Sequence, residues 1–161
     1  MIAAPERGRA TPGRVNGGRR GFTLIELLLV VVIMGLLAAL AIPNLQRVTE
    51  RARNARAIGD IRAFGHEITE YHLENDVYPS SLANIGRGGA EDPWGNPYEY
   101  LVITGPGGAR KDKFLVPLNS DFDLYSMGPD GASSGPIGAG VSRDDIIRAN
   151  DGGFVGVAET F

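Results

Sequence analysis

The sequence predicts an α+β protein in which a long N-terminal helix packs against a small antiparallel β-sheet. The first half of the chain joins an apolar run to an amphipathic run at helical spacing, whereas the second half holds short β-prone segments between turns. With 161 residues, of which 43% are apolar, the chain suits one modest globular domain with an appendage.

Residues 1–21 are predicted to be a disordered basic leader. They carry five arginines against one glutamate, a charge of +4, and are rich in Gly and Pro. Because arginines beside a membrane segment favour the cytoplasmic side, we expect the residues after the apolar run to lie across the membrane. The net charge of −3 leaves −7 for residues 22–161, and this acidic balance argues against nucleic-acid binding.

Residues 22–42 are predicted to span a membrane, since their only polar members are Thr23 and Glu26. At 1.5 Å per residue, a helix of this length crosses roughly 30 Å of hydrocarbon. A carboxylate at the centre of such a segment costs roughly 2.5–3.5 kcal/mol on insertion scales. We therefore expect Glu26 to pair with a cation or to mark a functional site.

Two simpler interpretations of this segment remain open. The small residues at 39–41 (Ala-Leu-Ala) fit a signal-peptide cleavage site, and Arg19 and Arg20 resemble a twin-arginine export signal. Against both, Glu26 interrupts the apolar core and the helical pattern continues beyond the supposed cut. A plain membrane anchor is the second possibility, but it leaves Glu26 unexplained.

The segment after Pro43 is predicted to be an amphipathic helix. Its apolar residues recur at steps of three and four, namely Leu45, Val48, Ala52, Ala55, Ile58, Ile61, Phe64, Ile68 and Tyr71. Together with the apolar run it predicts one helix from Phe22 to about Leu73, bent or locally melted at residues 35–43, because proline removes a helical hydrogen bond. This divides the chain into a leader at 1–21, a transmembrane and assembly helix at 22–43 and an exported domain at 44–161.

Three short strands are predicted beyond the helix, at about residues 98–103, 113–117 and 124–127. The segment 92–98 reads Asp-Pro-Trp-Gly-Asn-Pro-Tyr and predicts a rigid turn with an aromatic anchor.

The segment 119–151 carries six aspartates with few predicted hydrogen-bonded elements. It is either a bare acidic loop or a loop ordered by calcium, which accepts six to eight oxygen ligands without strict geometry. The chain has no cysteine, so no disulfide can hold this loop. The spacing of the aspartates lacks the EF-hand pattern.

The sequence offers no candidate catalytic centre. It contains no nucleophile with a positioned base, no phosphate-binding loop and no Cys/His metal motif. His66 and His72 are six residues apart on the predicted helix, a spacing that does not let them ligate one metal. We therefore predict a protein that is not an enzyme.

Residues 21–26 read Gly-Phe-Thr-Leu-Ile-Glu and resemble the cleavage and methylation site of type IV pilins and type II secretion pseudopilins. The resemblance implies that a prepilin peptidase cuts between Gly21 and Phe22 and that Phe22 is then N-methylated. It also implies a homopolymer in which Glu26 meets the Phe22 ammonium of a neighbouring subunit. Such a pair makes a buried carboxylate tolerable and fixes the register between subunits.

The segment 92–98, with Tyr-Pro at 78–79 and the segment 123–131, resembles the major pseudopilins of type II secretion, the general secretion pathway protein G family. This implies a type IV pilin-like fold in the bacterial inner membrane, with one transmembrane helix and a periplasmic domain. It also implies a subunit of a short periplasmic filament that assists protein export. An inner-membrane assembly platform and a secretion ATPase would be indirect partners.

The same resemblance implies calcium binding in the C-terminal loop. Asp130, in the Gly-x-Asp-Gly turn, and Asp145, before Ile, match the family's calcium ligands, and Asp144 is a possible additional ligand. Backbone carbonyls near Ser126 and Met127 would complete the shell.

The chain departs from the family pattern in three places. Residues 78–92 form a shorter stretch than usual, Arg-Ala-Asn at 148–150 stands where a tryptophan is common, and the tail 151–161 has no counterpart. An alternative is therefore a type IV pilin or minor pilin of a surface filament for adhesion, motility or DNA uptake.

Overall fold

The computed structural model describes residues 21–105 and 107–161, so the predicted leader lies, except for Gly21, outside the described residues. The described residues fall into two units, divided between Ile42 and Pro43.

Helix α1 is assigned to Leu24–Asn75, which extends beyond the predicted end near Leu73. Pro43 lies inside it, so the prediction of a locally melted stretch at residues 35–43 is wrong. The physical reason is that a proline removes its own N–H bond but leaves the neighbouring bonds in place. The helix ends where Asp76 adopts a left-handed backbone (φ 57°) and its N–H donates to the carbonyl of His72 at 2.8 Å.

The second unit contains one antiparallel four-stranded sheet in the order β1-β2-β3-β4. Its strands are β1 (Glu99–Val102), β2 (Phe122–Ser126), β3 (Ile146–Ala149) and β4 (Phe154–Val157). The α+β prediction is confirmed, and the first and third predicted strands correspond to β1 and β2.

The predicted strand at residues 113–117 is wrong, because this run forms a tight turn. The Asp112 carboxylate accepts hydrogen bonds from the backbone N–H groups of Phe114 (2.7 Å) and Val116 (2.8 Å). Leu115 between them is left-handed, with φ 65°. A side-chain acceptor that captures two successive backbone donors competes with strand pairing.

Strands β3 and β4 are elements that the sequence reasoning missed. All four residues of β3 are buried, so the strand lacks the alternation expected of a half-exposed strand. The hairpin that joins β3 to β4 passes through Asn150, Asp151 and Gly152, all with positive φ. An Asn-Asp-Gly sequence is typical of a hairpin turn, so it indicates that the tail has regular structure.

The sheet is covered on both faces. On one face, buried side chains of α1 pack with strand residues in a core that comprises Ala57, Ile61, Phe64, Ile68, Leu82, Tyr98, Phe122, Leu124 and Ile146. A second cluster comprises Leu118, Ile137, Ile147, Ala149 and Ala158, with Tyr125 and Phe154 packed against it. Because neighbouring strand residues point to opposite faces, Ile146 and Ile147 belong to different clusters. The loop before β2 and the C-terminal tail thus form the second layer.

Candidate assembly and metal-binding sites

The predicted cleavage junction precedes the first helical turn. Gly21 and Phe22 are exposed and have no regular secondary structure. A Cβ placed on Gly21 would meet no described heavy atom within 4 Å, so no described side chain crowds this peptide. Within the described ranges, both residues of the junction are therefore accessible.

Glu26 forms a capping box with Thr23 at the start of α1. Glu26 Oε2 accepts hydrogen bonds from the Thr23 backbone N–H and hydroxyl, both at 2.9 Å, and the Glu26 N–H donates to Thr23 Oγ1 at 3.3 Å. Sequence reasoning missed this role, although Thr-x-x-Glu is the pattern of a capping box. Within a single chain, the carboxylate already has partners on its own helix end.

The apolar part of α1 is long and apolar enough, by length and composition, to cross a membrane. Its side chains from Leu24 to Ile42 are exposed in the structure. A continuous exposed apolar surface of this kind is typical of a helix that is solvated by lipid or by other helices.

The turn at residues 92–98 is organised by the buried carboxylate of Asp92. Asp92 Oδ1 accepts hydrogen bonds from the backbone N–H groups of Trp94 (3.0 Å) and Asn96 (2.9 Å). Asp92 Oδ2 accepts one from the Ser126 hydroxyl, at 2.5 Å, at the end of β2. One side chain therefore both closes the turn and fixes it to the start of the C-terminal loop.

Asn96 continues this connection to the turn at residues 126–131. Its side-chain amide donates to the carbonyl of Gly128 at 2.9 Å. Gly128 and Gly131 both have positive φ, 67° and 65°, and a Cβ on Gly131 would lie 2.9 Å from Asn96 Oδ1. A side chain at Gly128 or Gly131 would therefore meet backbone strain and a steric clash together.

The structure brings the 126–131 turn against Asp144. A Cβ on Gly128 would lie 2.6 Å from the carbonyl oxygen of Asp144 and 3.1 Å from its Oδ2 atom. Asp130 lies on the exposed part of the same turn, where its Oδ1 atom accepts the backbone N–H of Ala132 at 2.8 Å. Two segments that supply predicted calcium ligands are thus adjacent.

Asp145 is completely buried, and its two carboxylate oxygens have different surroundings. Oδ2 accepts hydrogen bonds from Arg110 Nη2 and from the Ser133 hydroxyl, both at 2.7 Å. Oδ1 is buried without a hydrogen-bond partner among residues 21–105 and 107–161. Burial raises the pKa of Asp145, and the bonds from Ser133 and Arg110 oppose that rise.

Arg110 and Asp123 are site residues that sequence reasoning did not identify. Asp123 Oδ2 accepts the backbone N–H of Arg110 at 2.5 Å, and its Oδ1 accepts the Asn119 amide at 2.9 Å. The Arg110 guanidinium lies 3.8 Å from the ring centre of Tyr125. Burial raises the pKa of Asp123, and these hydrogen bonds oppose it. The sequence places Asp123 inside a β-prone run, which indicates that its carboxylate needs hydrogen-bond donors. The sequence does not show which residues provide them.

The donor set of this loop fits calcium. A buried carboxylate oxygen without a protein donor is an available hard ligand, and the Gly128 turn places backbone close to Asp144. Ser126 and Met127 lie at the start of this turn, where the structure places them buried and half-buried. Within the described ranges, no group of three or more His, Cys, Asp or Glu side chains could hold a metal, so a site here would need further oxygen ligands besides these side chains.

Arg148, in strand β3, occupies a buried position. Its guanidinium lies 3.9 Å from the ring centre of Phe122. It also makes two hydrogen bonds to the Asp121 carboxylate, at 2.8 Å and 2.7 Å. The flat guanidinium therefore packs on an aromatic ring and is neutralised at the same time.

The open Gly21–Phe22 junction, the capped apolar helix and the α+β domain define a pilin-like protein. Residues 16–42 match the family model described as the prokaryotic N-terminal methylation motif. The chain is 37% identical over 136 residues to the type II secretion system core protein G of Pseudomonas aeruginosa. This alignment covers 71% of this chain and 87% of the relative. Identity to the proteins of the same name is 35% over 139 residues in Escherichia coli K12 and 35% over 135 residues in Vibrio cholerae. These alignments cover 73% and 71% of this chain, and 87% and 84% of the two relatives.

The chain therefore belongs to the type II secretion system core protein G family. This confirms the resemblance to major pseudopilins and favours a secretion pseudopilin over the type IV pilin alternative.

Proposed function

We propose that this chain is a structural subunit of a periplasmic pseudopilus that helps drive protein export through the type II secretion system. Membership of the core protein G family is the observation that carries this proposal. The relatives are named as core proteins of a secretion system, which supports a structural rather than a catalytic role.

The maturation part of the proposal concerns the first helical turn. The leader is cut between Gly21 and Phe22 by a prepilin peptidase, and Phe22 is N-methylated. Support comes from the methylation-motif match at residues 16–42 and from the exposed, uncrowded junction. The apolar helix anchors the chain in the inner membrane and the acidic domain lies in the periplasm. The subunit then polymerises with other pseudopilins. The inner-membrane assembly platform and the secretion ATPase are indirect partners in this step.

Deletion of the gene, followed by complementation, tests the cellular role. Cargo proteins should accumulate in the periplasm of the deletion strain, while twitching motility stays normal. The full-length gene should restore secretion. Normal secretion with lost twitching would contradict the proposal and support a type IV pilin.

The second part of the proposal is a calcium clamp in the C-terminal loop. Asp130 and Asp145 would hold the ion, with Asp144 as an additional ligand and with backbone carbonyls near Ser126 and Met127. A bound calcium would supply positive charge that joins the 126–131 turn to the start of β3. Support comes from the unpartnered Asp145 Oδ1 atom and from the close approach of Gly128 to Asp144.

Thermal unfolding of the full-length protein in detergent micelles tests the clamp, with Trp94 fluorescence as the probe. Calcium should raise the Tm relative to chelator, because a ligand that binds only the folded state stabilises it. Asp130→Ala should reduce this rise more than Asp144→Ala, and Asp112→Ala, which removes a carboxylate from another loop, should leave it unchanged. Equal Tm values for the native chain in calcium and in chelator would contradict the clamp.

A further inference from the structure

We propose that Arg110 shares the buried Asp145 carboxylate with the bound calcium, so that guanidinium and metal are two sources of positive charge for one acidic group. This inference rests on the calcium clamp proposed above. It predicts that calcium stabilises the domain less in the native chain than in a variant without Arg110.

The two oxygens of Asp145 are divided between these two roles. Arg110 Nη2 and the Ser133 hydroxyl already occupy Oδ2, each at 2.7 Å. Oδ1 is buried and has no hydrogen-bond partner in the described part of the chain. A carboxylate can accept an arginine on one oxygen and a metal on the other, so both cations can be accommodated together.

Arg110 is held beside Asp145 by contacts that do not involve Asp145. Its backbone N–H donates to Asp123 Oδ2 at 2.5 Å, and its carbonyl accepts the Leu118 N–H at 2.8 Å. Its guanidinium lies 3.8 Å from the Tyr125 ring centre. These contacts position the guanidinium beside Asp145 without a metal.

The ion pair alone does not satisfy both partners. Arg110 Nε and Nη1, like Asp145 Oδ1, are buried without a hydrogen-bond partner among the described residues. A buried ion pair stabilises a fold only when its remaining donors and acceptors are also satisfied. Within the described residues, Asp145 Oδ1 is therefore the carboxylate oxygen that a second positive charge would stabilise most.

Two cations that neutralise one carboxylate do not contribute additively. The first removes most of the unfavourable free energy of a buried negative charge, and the second then gains less and is repelled by the first. Removing Arg110 should therefore enlarge the stabilisation that calcium provides.

Arg148 provides a matched control within the same domain. It is also a buried arginine, 6% exposed against 9% for Arg110, and it also pairs with an aspartate and packs on an aromatic ring. Its partner Asp121 is not among the proposed calcium ligands. Arg148→Met should therefore lower stability equally in calcium and in chelator.

The experiment measures the Tm of the full-length protein in detergent micelles, with calcium chloride or with chelator, for the native chain, Arg110→Met and Arg148→Met. We expect the calcium-dependent rise in Tm to be about twofold larger or more in Arg110→Met, and unchanged in Arg148→Met. Arg110→Gln keeps an N–H donor at this position, and it should show the same direction if Arg110→Met does not fold.

Three results would overturn the inference. An equal rise in the native chain and the Arg110 variants would show that the two cations act independently, with the clamp itself still supported. An equally enlarged rise in Arg148→Met would show a general effect of destabilisation. No calcium effect in any of the proteins would overturn the clamp and the inference together.

Discussion

Glu26 has partners on its own helix end and an expected partner on another subunit. Thr23 occupies Glu26 Oε2 through two hydrogen bonds. In the proposed filament, the Phe22 ammonium of a neighbour adds a charged partner. The capping bonds need an acceptor oxygen, whereas the contact between subunits needs a negative charge, so a substitution can separate the two roles.

Glu26→Gln keeps the oxygen and removes the charge, and glutamine is also accepted in a capping box. We expect normal membrane insertion and cleavage but impaired filament assembly. Thr23→Val is the matched control, since it removes the hydroxyl contact and keeps the carboxylate. Immunoblots of membrane fractions and of sheared filaments measure both steps. Normal filaments from Glu26→Gln would remove the proposed role of the charge.

Asp92 shows how much of a loop can depend on one buried side chain, since it accepts two backbone N–H groups and one hydroxyl. Asp92→Ala should lower the free energy of unfolding by at least about 2 kcal/mol, because buried donors lose their partners. Asp112→Ala removes a similar but more exposed cap and should lower it by about 1 kcal/mol or less. Urea unfolding monitored by Trp94 fluorescence measures both, and equal losses would contradict a special role for Asp92.

At the scale of elements, the amphipathic part of α1 packs through a narrow stripe. Ala57, Ile61 and Ile68 are fully buried, whereas Leu73 is 77% exposed. The sequence pattern predicted the buried positions at Ile61, Phe64 and Ile68, because their spacing alone fixes the helix face. It did not distinguish these from Leu45 and Val48, which are exposed, since periodicity does not show where the sheet ends.

Ile68→Ala should therefore lower the free energy of unfolding by about 2–5 kcal/mol, through lost burial and a residual cavity. Leu73→Ala, on the same helix, should change it by about 0.5 kcal/mol or less. Urea unfolding gives both values. A loss at Leu73 as large as that at Ile68 would contradict the described core.

The helix is also connected to the following loop by an ion pair. Arg87 donates two hydrogen bonds to the Glu67 carboxylate, at 2.8 Å and 2.5 Å, and these chiefly lower the pKa of Glu67 below its ordinary value of 4.5. The stabilisation is thus complete above pH 4.5 and is lost as the pH falls through the lowered pKa. Because both side chains are partly exposed, solvent weakens this stabilisation.

Glu67→Gln should accordingly unfold at lower urea concentration than the native chain at pH 7, and this difference should be smaller at pH 3. Added salt should reduce the difference at pH 7. A difference of equal size at both pH values would show that the carboxylate acts through packing and not through charge.

At the scale of the whole molecule, the sequence allowed the helix, the fold class and two strands to be predicted, because these depend on local spacing. It did not allow the second layer to be predicted. That layer depends on contacts far apart in the chain, such as the Arg110 side chain with Asp145 and the Leu118 carbonyl with the Asn150 N–H. The Asp112 side chain makes a β-prone run form a turn instead of a strand. The C-terminal tail forms β4 because it pairs with β3.

The central claim is that this chain is matured as a pseudopilin, and mass spectrometry of the N-terminal peptide tests it most directly. The protein should be isolated from the membranes of cells that contain a prepilin peptidase. We predict a chain that begins at Phe22 with one methyl group on its α-amino nitrogen. A mature chain that begins at Ile42, as a cut after Ala41 would leave it, or one that keeps residues 1–21, would contradict the claim.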